Sequence, residues 1–101
     1  LKVLADYSFP EQQIVINPND GFDLGIMMTE ATVLLYFGDS IDSIVKEDLS
    51  PIYARLYQKN ECKLGSVELS LKSVEKMGEP KHVRLHLVPQ DPYPKLLIAP
   101  E

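Results

Sequence analysis

The sequence predicts a mainly β domain with one or two short helices, a small antiparallel barrel or two-sheet sandwich of about six strands forming a single compact domain over residues 1–101. Three observations carry this. Apolar residues alternate with polar ones in several short runs, the period of strands that bury one face. Those runs are rich in Val, Ile, Tyr and Phe, which suit a pleated, half-buried surface. Clusters of Pro, Gly, Asn and Asp punctuate them where turns are needed.

Taken in order, Val3 and Ala5 mark a loosely alternating first strand, and Gln13–Asn17 a clearer second one. Pro18-Asn19-Asp20-Gly21 reads as a turn, and Phe22–Met28 as the returning arm of a hairpin, with Phe22, Leu24 and Ile26 on one face. Thr32–Phe37 is apolar and β-branched enough for a buried strand, stopped by Gly38-Asp39-Ser40. Ile41, Ile44, Val45 and Leu49 then recur at helical spacing, which predicts a short helix over residues 41–49 capped by Asp39 or Ser40. Ser50-Pro51 has the form of a helix start, yet Ile52, Ala54 and Leu56 alternate with Tyr53, Arg55 and Tyr57. Residues 52–58 therefore fit a helix or a strand.

The last third alternates most regularly. Val67, Leu69 and Leu71 alternate with Glu68, Ser70 and Lys72, and Val74 falls out of phase as at a bulge. Gly78-Glu79-Pro80-Lys81 turns the chain into Val83, Leu85 and Leu87, completing a hairpin with one apolar face. Pro89, Pro92 and Pro94 predict an extended linker before a short strand over Lys95–Ala99. The expected core is Ile14, Ile16, Leu24, Leu35, Leu69, Leu71, Val83, Leu85 and Leu87.

Composition bounds the function. With 45% hydrophobic and 25% charged residues the chain is an ordinary globular sequence, long enough to bury one core but not two. The single cysteine, Cys62, admits no intrachain disulfide, which favours a reducing compartment and a cytoplasmic location. The apolar runs Thr32–Phe37 and Leu96–Ala99 fall far short of the ~20 residues of a membrane span, so no membrane role is expected. Leu1 at the start reads as a domain cut, a processed end or a partial gene product, with no basic-then-apolar leader before it. Residues 1–50 carry a balance of −7 and residues 51–101 a balance of +2. The net −5 repels phosphate backbones and disfavours nucleic acid, while the asymmetry suits contact between unlike patches of neighbouring subunits.

The residues capable of chemistry do not converge. His82 and His86 suit a shared zinc ion on a helix, but on a strand they stand about 13 Å apart at about 3.3 Å per residue. The alternation of Val83, Leu85 and Leu87 favours the strand, leaving His82, Arg84 and His86 as a basic strip for an anion or a partner carboxylate. Asp39, Asp42, Glu47 and Asp48 form an acidic cluster that reads as the solvated face of a helix. Asn17–Gly21 fails as a calcium loop, because its glycine is one position early and Met28 stands where the glutamate belongs. No serine lies in a nucleophile-elbow frame, no glycine-rich phosphate loop precedes a helix, and Cys62 reads as a small buried hydrophobe. No catalytic, cofactor or metal residue is therefore expected. Tyr53, Arg55, Tyr57 and Lys59 alternate as an aromatic–cationic run, a pattern shared by protein interfaces and single-strand binders.

The size and strand pattern are compatible with Sm-like, pleckstrin-like and oligonucleotide-binding barrels, none of whose diagnostic motifs is present. The reading is a non-catalytic binding or assembly module acting through self-association or a protein partner. Its surfaces are the Tyr53–Lys59 run, the His82–His86 strip and a terminal arm of Lys95, Leu96, Leu97 and Ile98, placed in its own sheet or on a neighbour's edge. Two alternatives accompany it. One is an oligomeric small barrel gathering Arg55, Lys59, Lys63 and Arg84 for single-stranded nucleic acid; the other is a small metal-dependent hydrolase using Asp39, Asp42, His82 and His86.

Overall fold

The computed structural model describes residues 1–9, 12–27, 29–38 and 52–101. The helix expected over residues 41–49, its caps and the acidic cluster lie outside these. Seven strands form one curled sheet: β1 (Lys2–Asp6), β2 (Gln13–Ile16), β3 (Glu30–Phe37), β4 (Ile52–Gln58), β5 (Ser66–Ser70), β6 (Val83–Val88) and β7 (Lys95–Pro100). Among the described residues two six-residue helices accompany them, α1 (Pro18–Asp23) and α2 (Leu71–Lys76). The mainly β class stands.

The strand order is β1-β5-β2-β4-β3-β7-β6. Strand directions differ from the antiparallel expectation: β1–β5, β2–β4 and β3–β7 run parallel, and β2–β5, β3–β4 and β6–β7 antiparallel. The two edge strands then meet at one point, where Lys2 bridges His82. Val83 N–H donates to the Leu1 carbonyl at 2.8 Å and Val3 N–H to the Lys81 carbonyl at 2.9 Å. The result is a half-barrel whose seam is stitched over only a few residues.

The core follows directly from strand periodicity. Ile14 and Ile16, Val33 and Leu35, Ala54 and Leu56, Val67 and Leu69, Val83 and Leu85, Leu96 and Ile98 all point inward, one pair from each of β2 to β7, and all are buried. Residues 52–58 are thus a strand, with Tyr53, Arg55 and Tyr57 outward. Leu24 and Leu87 pack against this cluster half-buried. A second, smaller cluster on the other face of the sheet joins Tyr36, Leu97 and Ala99, with Leu34 and Val88 against it. Strand β7 is consequently buried on both faces, which explains its unbroken Leu-Leu-Ile-Ala run.

Two expectations about local structure are corrected. Pro18–Gly21 is the first turn of α1 and not a hairpin turn: Asn17 is extended, its side chain accepts from Asn19 N–H at 2.9 Å, and Pro18 occupies the first helical position. Phe22 therefore lies on a helix, 71% exposed, and not on a strand face. Likewise the break in phase before Val74 is a helix and not a bulge. Ser70 Oγ accepts from Ser73 N–H at 3.2 Å and caps α2, so Leu71 leaves the strand and the core. This helix also undoes the predicted hairpin, since β5 lies between β1 and β2 while β6 pairs with β7.

Candidate functional site

Helix α1 is stapled beneath one end of the half-barrel by polar contacts to the β4–β5 turn. Asn17 Nδ2 donates to the Cys62 carbonyl and Gly65 N–H donates to Asp20 Oδ2, each at 2.9 Å. Gly21 lies so close to Gln58 that a Cβ there would overlap its amide, and Gln58 Nε2 donates to the Ile26 carbonyl at 3.2 Å. Gly25 follows at φ 81°, the left-handed conformation that ends a helix without a Cβ penalty. These contacts hold residues 25–27 at the barrel end as a fixed wall.

Opposite that wall runs the proline segment 89–94. Between them opens a cavity of about 560 Å³ whose floor is Ile26, Ala31, Val33, Leu56 and Leu87, and whose rim is Met27, Pro89, Pro92 and Pro94 with Gln90 and Asp91. Val33 and Leu56 themselves stay buried, so the cleft ends on the barrel core and does not enter it. Met27 is 82% exposed on the rim, and beside it a smaller hollow of about 240 Å³ is lined by Pro18, Phe22, Thr29 and Gln58. Large apolar side chains left in water around an open apolar cleft are the features of a docking surface. Asp91 is the ionisable side chain of the lining, so the mouth offers one carboxylate in an otherwise apolar wall.

The residues singled out from sequence fall elsewhere. Tyr53, Arg55 and Tyr57 share the outer face of β4, where Tyr53 meets Tyr93 edge-on at 5.6 Å and Lys59 lies over Tyr57 at 5.2 Å. Arg55 is engaged within the sheet, 2.8 Å from Glu30 and 2.7 Å from Thr32 Oγ1. Arg84 and His86 lie on β6 and His82 just before it, with β3 and β7 between β6 and β4, so the two surfaces are separate. Arg84 approaches Glu101 at 3.6 Å. Among the described residues no three of His, Cys, Asp and Glu gather as metal ligands. No helix of the described residues is long and apolar enough to cross a membrane. Of the two placements open for Lys95, Leu96, Leu97 and Ile98, the structure shows the chain's own sheet, between β3 and β6.

Cys62 is buried, its sulfur near the carbonyls of Val15 and Ser66 at 3.6 Å. Burial pushes the thiol from 9.0 up to about 11, and the carboxylates of Glu68 and Asp20 act in the same direction. The protonated thiol is thus favoured by folding. Its contribution is complete below about pH 9 and is lost as pH rises toward 11, a fall of at most about 2–3 kcal/mol. In urea titrations across that range the wild-type chain is expected to lose more stability than a Cys62→Ala chain. Parallel pH profiles for the two would refute this.

The structure thus defines a small β half-barrel with one open apolar end. No protein-family model, curated protein or solved structure matches the chain. The mouth itself was missed from sequence. Its lining comes from four segments that separately read as strand or as linker, and reading Phe22–Met28 as a hairpin arm hid the exposure of Phe22 and Met27.

Proposed function

We propose that this chain is a non-catalytic binding module that seats an apolar side chain of a partner protein in the mouth of the half-barrel. The observation that carries this is the open cavity of about 560 Å³, floored by core residues and flanked by exposed Phe22 and Met27. Phe and Met are enriched at protein interfaces, and their exposure beside the cleft extends the surface beyond what a small ligand would cover. The buried Cys62, held as a thiol, supports a structural and not a nucleophilic role, and suits a reducing compartment such as the cytoplasm. The nucleic-acid alternative gains Tyr53, Arg55 and Tyr57 on one face, but the Arg55 charge is already met by Glu30 and the chain carries −5.

Fluorescence titration with anilinonaphthalene sulfonate, an apolar reporter, tests the site. The folded chain is expected to bind it saturably. Ala31→Trp, which fills the cavity from β3, is expected to weaken binding by about tenfold or more while leaving the circular dichroism unchanged. No fluorescence response from the wild-type chain, or an undiminished one from the folded variant, would overturn the assignment.

A further inference from the structure

We propose that the start of β3, at Glu30 and Thr32, accepts an extended segment of a partner protein as a short added strand. That strand sets one apolar side chain into the mouth and a Lys or Arg beside Asp91. This rests on the reading of the mouth as a partner site, and it names the form and charge of the partner.

The backbone ladder locates the gap. Successive strand residues turn their N–H and C=O groups to opposite sides. Gln58 N–H donates to the Thr29 carbonyl at 2.8 Å, so Thr29, Ala31, Val33 and Leu35 face β4. Leu34 N–H donates to the Pro94 carbonyl at 2.9 Å and Gly38 N–H to the Ile98 carbonyl at 3.3 Å, so the alternate residues face β7. Glu30 and Thr32 belong to that second set, but β7 begins only at Lys95, opposite Leu34. Continued by one step, the parallel ladder would give the Thr32 carbonyl the N–H of residue 94, and Pro94 has none. It would give Thr32 N–H the Pro92 carbonyl, and that bond is not made. Tyr93 instead packs against Tyr53 on the outer face of β4. Among the described residues, therefore, the backbone groups of Glu30 and Thr32 meet no backbone partner on this side. Unpaired strand groups are a template for strand addition, and they select a polypeptide over a ligand that has no amide backbone.

The gap opens onto the mouth. Ala31 and Val33, the inward neighbours of Thr32, floor the cavity of about 560 Å³ with Leu56, and Pro89, Pro92 and Pro94 stand across from them. A strand laid beside Thr32 sets alternate side chains toward that floor and the others away from it. The floor is apolar, so the inward position favours Leu, Met or Phe. Charge settles the flanking position. No cation lines the cavity, and its one ionisable side chain is Asp91. Glu30 is already met by Arg55 at 2.8 Å, whereas no ion pair among the described residues holds Asp91. One carboxylate in an apolar wall, on a chain of net −5, favours a cation beside the apolar anchor and disfavours a second carboxylate. Only Glu30 and Thr32 are free before Leu34 meets Pro94, so the added strand is short and its buried side chain carries much of the affinity.

Three short synthetic peptides with blocked ends test this against ¹⁵N-labelled protein at low salt. The first carries one leucine flanked by lysine and valine, the second has glutamate in place of lysine, and the third is the first with its backbone amides N-methylated. The lysine peptide is expected to shift the Thr32 amide and slow its exchange. The glutamate peptide should bind about tenfold more weakly and the N-methylated one not at all, and Asp91→Lys should reverse the charge preference. An unmoved Thr32 amide, equal binding of the N-methylated peptide, or tighter binding of the glutamate peptide would each overturn the proposal. Saturable binding of the apolar reporter in the same preparation would then leave the mouth assignment standing, so the two readings fail separately.

Discussion

Deleting residues 95–101 is expected to unfold the chain, with loss of its β-type circular dichroism and of any cooperative thermal transition. Strand β7 is no appendage. It pairs with β3 on one side and β6 on the other, and Leu96, Leu97 and Ile98 are fully buried. Each such side chain contributes about 1.5–3 kcal/mol by burial, against a total stability of about 5–15 kcal/mol for a domain. Without β7 the ladder of β6 is also lost beyond its few bonds to the first strand. A truncated chain that stayed folded and melted cooperatively would contradict this placement.

Leu69→Ala is expected to cost about 2–5 kcal/mol and Leu71→Ala less than about 1 kcal/mol, although strand periodicity makes the two residues equivalent. Leu69 is fully buried on β5, opposite Ile14 on one neighbour and Ala5 on the other. Leu71 begins α2, half-exposed, after Ser70 has capped the helix. Urea midpoints at unchanged slope measure the difference. Equal costs would mean that the strand continues through Leu71 and that α2 is absent.

What the sequence revealed and what it hid have physical causes. Alternation exposed β6, which has one buried and one wetter face, and left β4 open between strand and helix; in β2 Val15 is buried along with Ile14 and Ile16. The same rule was silent about β7, whose two buried faces erase the period. Both helices were missed because six residues are too few to show a helical repeat, and their starts use residues that also make turns. Asn17-Pro18 satisfies a turn or a helix N-terminus equally, and only the contacts of Asn17 and Asp20 with the β4–β5 turn select the helix. Pairing was the least legible level. Nothing local tells β5 and β6 that β1 will lie beside one of them and β7 beside the other. The mouth inherits that difficulty, since it exists only once the proline segment 89–94 is set across from residues 25–27. Of the candidate surfaces read from single strands, Tyr53, Arg55 and Tyr57 lie along β4, and Arg84 and His86 along β6. What sequence could not supply is that they are separate from each other and from the cavity.

The strand order places β7 inside the sheet between β3 and β6, and it sets the proline segment 89–94 across from residues 25–27 at the open mouth. Residue-resolved amide hydrogen exchange on the unliganded chain tests that order most directly. Leu96, Leu97, Ile98 and Ala99, bonded to neighbours on one side or the other, should exchange only through global unfolding. Arg84 and His86, bonded toward β7, should be protected beside them. Slow exchange throughout Leu96–Ala99 is the expected result. Rapid exchange there would contradict the fold and the binding end built upon it.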